Sequence, residues 1–172
     1  MFKIGSKVFY PSHGAGWIKA EKEIEFNGEK KEYFEFEFVN NALTISTPIE
    51  NLERLGIRQV LTAKEIKEKV GILKTKPTKN PNTVDFNKLM DLFKSLEGGA
   101  NIDNAIQTIQ YCNFIKKQRE KDGRLIPVTI ENELARAMAD IVGELAVSSG
   151  VKLESASKNF EKITGLESKL SY

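Results

Sequence analysis

The chain has 172 residues, 40% hydrophobic and 29% charged, with a net charge of +2, a composition ordinary for a soluble globular protein of one large or two small domains. No apolar run approaches the ~20 residues that span a bilayer, and the opening "MFKIGSKVFY" lacks the apolar core of a secretory signal, so a cytoplasmic protein is expected. A single cysteine, Cys112, excludes an internal disulfide and a cysteine-based zinc site.

In chain order, residues 1–56 read as β. "SKVFY" is a short strand, and "GWIKAEKEIEF" is a long, bent one that ends at a turn around Asn27-Gly28. "EYFEFEFV" alternates with period two, placing Phe34, Phe36 and Phe38 on one face and Tyr33, Glu35 and Glu37 on the other. "NNALTISTPI" supplies a further strand with Leu43 and Ile45 on one side and Pro48 stopping it. Four or five short strands in this length predict a strongly bent sheet or a small SH3/Tudor-like β-barrel.

After Arg58 the period becomes helical. "LTAKEIKEKVGILK" opens with a capping box, Thr62 and Glu65, and continues with Ile66, Val70 and Leu73 at helical spacing. "TKPTKNPNT", residues 75–83, reads as a linker or turn. Helices are predicted over 84–97, ending at Gly98-Gly99, and over 102–119, 129–148 and 153–164, whose apolar spacing fits a bundle. The fold class is thus α+β, divided as a β module at 1–60, a helix and basic linker at 61–83, and an all-helical domain at 84–172.

Charge is uneven along this order. Residues 57–81 carry 7 Lys/Arg against 2 Asp/Glu, whereas the flanking segments are slightly acidic. A local basic segment attracts phosphate even in a nearly neutral protein, and equally it can be a solvated linker.

The stretch "VFYPSHGAGWI" holds the only histidine and the only tryptophan. Pro11 suits the second position of a turn, Gly14 can supply a positive φ, and Gly16 lets the next strand bend. His13 is expected exposed at the tip, with no second histidine or cysteine to share a metal and no evident orienting carboxylate or nucleophile. The stretch therefore reads as a corner, Trp17 as packing and Cys112 as a core thiol. Neither "SHGAG" nor "EGGAN" has the form of a phosphate loop, and no catalytic set, cofactor site or metal site emerges. The chain reads as a non-enzyme.

The order YPSHG, NGEKKEYFEF, LTISTP, ERLGIR resembles the CarD/CdnL family of bacterial transcription regulators, whose first domain is shared with the polymerase-interacting domain of transcription-repair coupling factors. The matching positions run from Gly5 to Gly16, Gly28 to Phe34, Leu43 to Pro48 and Gly56 to Arg58. The resemblance implies a Tudor-like domain that pairs a sheet edge with the β subunit of RNA polymerase. It also implies a helical domain that touches promoter DNA with an apolar wedge flanked by cations, altering open-complex lifetime. On it, Lys22, Ile24 and Ser46 fall on the polymerase-binding surface, Phe86 stands for the wedge (a shift of one residue puts Asp85 there), and Lys88 stands for a phosphate contact. Lys74, Lys76 and Lys79 of the basic segment are further DNA-binding candidates. Partners are thus polymerase β and, weakly, promoter DNA, with no membrane and no small-molecule substrate. The family's basic start to its long third helix is replaced here by "TIENELAR", which supports an alternative: a polymerase-binding adaptor that has lost DNA readout. An autonomous nucleic-acid binder is a third, distant reading.

Overall fold

The computed structural model describes residues 1–97, 100–168 and 170. Strands β1 (Lys7–Tyr10), β2 (Gly14–Phe26), β3 (Glu29–Phe38), β4 (Thr44–Pro48) and β5 (Arg58–Gln59) form one antiparallel sheet in the order β4-β3-β2-β1-β5. Among the described residues β4 and β5 do not pair, so the expected barrel is an open, bent sheet; β5, with two residues, is too short to close it. The period-two reading of β3 holds: Phe34, Phe36 and Phe38 are buried with Val8, Tyr10, Ile18, Leu52 and Ile57 in the sheet's own core. Leu43 lies before β4 and is exposed, while Ile45 packs on that core. The β2–β3 turn is closed by Asn27 (φ 52°) and Gly28 (φ 81°), the two positive-φ positions a tight hairpin needs.

Among the described residues six helices follow: α1 (Ala63–Val70), α2 (Ile72–Thr75), α3 (Phe86–Glu97), α4 (Ile102–Lys121), α5 (Val128–Ser149) and α6 (Leu153–Thr164). The Thr62/Glu65 capping box forms, with each side chain bonded to the other's backbone N–H. The single helix expected after it is two, broken at Gly71, yet Ile66, Val70 and Leu73 all point into the helical core. Gly98-Gly99, the expected stop of α3, lie outside the described residues. Cys112 is buried in that core, and burial pushes its thiol up to about 12, which keeps it protonated and inert at neutral pH. Residues 75–83 are not a free linker. The Lys79 N–H donates to the Gln110 carbonyl at 3.1 Å, and Gln110 and Asn113 donate to the carbonyls of Lys76 and Pro77 at 2.7 and 3.1 Å. The segment is laid along α4.

The sheet is docked on α5 by a junction that the sequence did not reveal. Arg58 in β5 forms a bidentate pair with Glu144 (Nη1–Oε1 2.6 Å, Nη2–Oε2 2.9 Å), and Glu144 also accepts the Leu61 N–H at 2.9 Å. The Glu144 side chain is 1% exposed. Arg58 further donates from Nε to the Ala100 carbonyl and lies 4.6 Å from the centre of the Phe9 ring. Phe9, Ala15 and Val147 bury one another there, with Trp17, Val39 and Val60 against them. Asn40 donates to the Ala139 carbonyl at 3.0 Å, directly over Gly143. Asp140, beside this network, has its carboxyl raised to about 6, chiefly by burial, with Glu97 and Glu144 pushing the same way and Arg136 opposing.

Candidate functional site

The "VFYPSHGAGWI" corner is a structural turn with a tighter geometry than its residues suggested. Gly14 has φ 87°, and Ser12 also adopts a positive φ of 67°. A Cβ on Gly16 would lie 2.0 Å from the Glu37 carbonyl oxygen, so the glycine permits two strands to touch. His13 is half-buried, not exposed: its ring lies 5.0 Å from Tyr10 and 5.5 Å from Phe38, centre to centre. Its aromatic neighbours explain the difference, since the Tyr10 and Phe38 rings cover part of the imidazole. Among the described residues no group of three or more His, Cys, Asp and Glu is placed to hold a metal, and no helix is long and apolar enough to cross a membrane.

Two surfaces remain. The first is the outer face of the β2–β3–β4 ladder. A register shift at Lys19 separates the pair Ile18–Phe36, which faces the core, from the pair Ala20–Glu35, which faces out. From there Lys22 is opposite Tyr33, Ile24 opposite Lys31 and Phe26 opposite Glu29; on the other side Ser46 is opposite Glu35 and Pro48 opposite Tyr33. Residues directly opposite share a face, so Lys22, Ile24 and Ser46 lie on one side of the sheet, beside the unpaired edge of β4. Lys22 is tied to Glu35 and Lys31 to Glu50 at 2.8 Å, leaving Ile24 (38% exposed) and Phe26 (73% exposed) as an apolar strip along the arm.

The second surface is at the other end of the chain. Phe86 opens α3 and is 51% exposed; Lys88 is exposed two residues on, its N–H held by the Asp85 carboxylate at 2.9 Å. Phe86, Val84 and Leu89 line a groove of about 590 Å³ together with Phe114, Ile115 and Gln118 of α4. Arg119 and Arg124 line it as well. Lys74, Lys76 and Lys79 are exposed, and the Lys79 ammonium is 5.8 Å from the Tyr111 ring centre, on the α4 side that leads toward the groove. Among the described residues none of these six cations, counting Lys88 with the two arginines and the lysines of the segment, makes an ion pair within 4 Å. By contrast Glu131 neutralises Lys116, and Glu133 and Asp140 flank Arg136, so the start of α5 offers no spare positive charge.

Arg119, Arg124 and Phe114 did not stand out in the sequence, although a signal was there. "KKQREKDGR", residues 116–124, holds five Lys/Arg against two Asp/Glu, and the near-neutral balance of 82–172 averaged it away.

Residues 2–61 match the CarD-like/TRCF RID domain family. The Bacillus subtilis (strain 168) protein named putative transcription factor YdeB is 38% identical over 60 residues, which is 35% of this chain and 39% of that protein. The chain therefore matches well under half the length of that relative. The sheet module at the N-terminus is a CarD-like/TRCF RID domain; the helices after it lie outside the match.

Proposed function

We propose that this RID domain docks on the β subunit of a bacterial RNA polymerase, and that the helical part then touches promoter DNA to set the lifetime of the open complex. The observation that supports the docking is the unpaired β4 edge with Lys22, Ile24 and Ser46 on the adjoining face, within the family match. An exposed edge gives main-chain hydrogen bonds to a partner strand, and the flanking side chains give selectivity. On this reading the protein is a non-catalytic regulator that works wherever polymerase works, in the bacterial cytoplasm, without a cofactor, and its domains divide at residues 1–60, 61–83 and 84–172.

The DNA half is supported by the half-exposed Phe86 beside cations that no carboxylate neutralises. An apolar side chain inserted at a base step costs a few kcal/mol of unstacking, which phosphate contacts must recover. Lys88, Lys79, Lys76 and Lys74 give three or four such contacts and a salt slope of about −3 to −4, shallow for a DNA binder. Contact thus becomes useful when polymerase supplies a high local concentration. The ion-paired start of α5 favours the second reading, an adaptor that binds polymerase and leaves DNA alone.

The test uses the full chain with purified polymerase core and a forked promoter. Ile24→Asp with Ser46→Arg should abolish co-purification of polymerase while the circular dichroism spectrum is kept. Phe86→Ala and Lys88→Glu should retain polymerase and shorten the open complex. Unchanged lifetimes with both would leave the adaptor, and polymerase retention by the edge variant would reject the docking surface.

A further inference from the structure

We infer that the groove between α3 and the C-terminal half of α4 receives one unstacked base of single-stranded DNA, stacked between Phe86 and Phe114, with Arg119 and Arg124 on the flanking phosphates. This rests on the DNA half of the function proposed above.

The groove's volume of about 590 Å³ falls within the ~300–1,000 Å³ of sites that take small planar ligands. Phe86 of α3 and Phe114 of α4 both line it, and Phe86 keeps half its surface in water, so that ring is available to a ligand instead of being spent on the core. Gln118 lines the groove as well and offers both a donor and an acceptor for a base edge. Charge selects the occupant. Among the described residues neither arginine has a carboxylate within 4 Å, while ten other Lys and Arg side chains do. Arg119 donates only to the Leu125 carbonyl, at 3.4 Å, and Asp122 is the one acid among the lining residues. Two arginines against one acid, with Lys88 outside on α3, favour a polyanion over an apolar peptide or a second copy of this basic end.

A base paired in a duplex presents its edge, not its face, and cannot lie between two rings in a recess. A single strand can, and aromatic stacking with phosphate pairing is how single strands are held without sequence preference. The groove also completes the wedge. A side chain that enters a base step deprives one base of its neighbour, and Phe114 replaces that neighbour.

The experiment is fluorescence anisotropy at low salt with the full chain and three labelled probes: an oligothymidine of about 12 nucleotides, an abasic strand of the same length, and a duplex. The thymidine strand should bind tightest. Phe86→Ala should weaken it about tenfold and leave the abasic strand unchanged, whereas Arg124→Glu should weaken both. Phe114 is partly buried, so Phe114→Leu, which keeps the packing and removes the π face, is the second variant and should reproduce the Phe86 effect. Equal binding of thymidine and abasic strands, no binding of the thymidine strand, or indifference to both Phe variants overturns the inference. If Phe86→Ala still shortens the open complex in that event, the DNA contact stands and only the base pocket falls.

Discussion

Glu144 bonds to two sites on the sheet side, the Arg58 guanidinium and the Leu61 N–H, and Glu144→Ala is the sharpest test of that joint. The substitution removes a carboxylate that is 1% exposed, leaves the Arg58 guanidinium without its carboxylate partner, and strips the Leu61 N–H of its acceptor. Breaking a buried pair from one side costs about 3–5 kcal/mol. Arg58 is 26% exposed and can turn toward water, which places the loss near the lower bound, about 3 kcal/mol. For a chain of this size each kcal/mol lowers Tm by about 2–4 °C, so a drop of about 6–12 °C is expected. Thermal and urea melts followed by circular dichroism measure it, and a double-mutant cycle with Arg58→Ala isolates the pair, with a coupling above about 1.5 kcal/mol expected. If the two single losses add within about 0.5 kcal/mol, the ion pair is not what holds the junction, and the apolar contacts of Phe9, Ala15 and Val147 must do so instead.

Gly143→Ala would place its Cβ 2.6 Å from Asn40 Nδ2, forcing Asn40 off the Ala139 carbonyl; a loss of about 1–2 kcal/mol in urea melts is expected, and no further loss when the same change is made in an Asn40→Gly background. Gly16→Ala would meet the Glu37 carbonyl at 2.0 Å, and backbone cannot step aside as a side chain can, so the variant should show no native sheet by circular dichroism. Asp140, raised to about 6, is protonated in the folded chain and ionised in the unfolded chain between about pH 4 and 6. Its contribution therefore favours folding at the acid end, is lost as pH rises through that window, and is flat above it. Asp140→Asn should flatten this component and gain about 1–2 kcal/mol at neutral pH, a discounted figure because the side chain is a quarter exposed; urea melts of both proteins across the window show it, and parallel curves would refute it.

Where one residue pattern answers to one physical cause, the sequence was a good guide. Alternating Phe34, Phe36 and Phe38 could only be a half-buried strand, and the helices over 86–97, 102–121, 128–149 and 153–164 begin and end within two residues of where apolar spacing puts them at every end the periodicity addressed. The YPSHG-to-GIR order located the RID domain because its glycines and proline are fixed by backbone geometry, as Gly14 and Gly16 show. What stayed hidden depends on pairs far apart in the chain. Nothing local to Arg58 announces a partner 86 residues away, and a glutamate within an apolar helix looks like a solvated position until the sheet covers it. The choice between a bent sheet and a closed barrel stayed open because closure depends on the length of β5, two residues that periodicity cannot detect. His13 was misplaced because its neighbours, Tyr10 and Phe38, reach it from two different strands.

The family match stops at residue 61, but Arg58, Phe9 and Ala15 face a helix that begins at residue 128. A part that is separable in inheritance is thus not separable in solvent: cut at residue 61, it carries an orphan guanidinium beside a bare apolar patch. Grafting this module onto another chain requires a matching socket there, an acid at the position of Glu144 and a small residue at the adjacent position of Gly143, in phase with the sheet. Relatives that recombined their second halves are recognisable by this joint. They would preserve this two-residue socket on an otherwise unrelated helix, or else replace the arginine and the phenylalanine together.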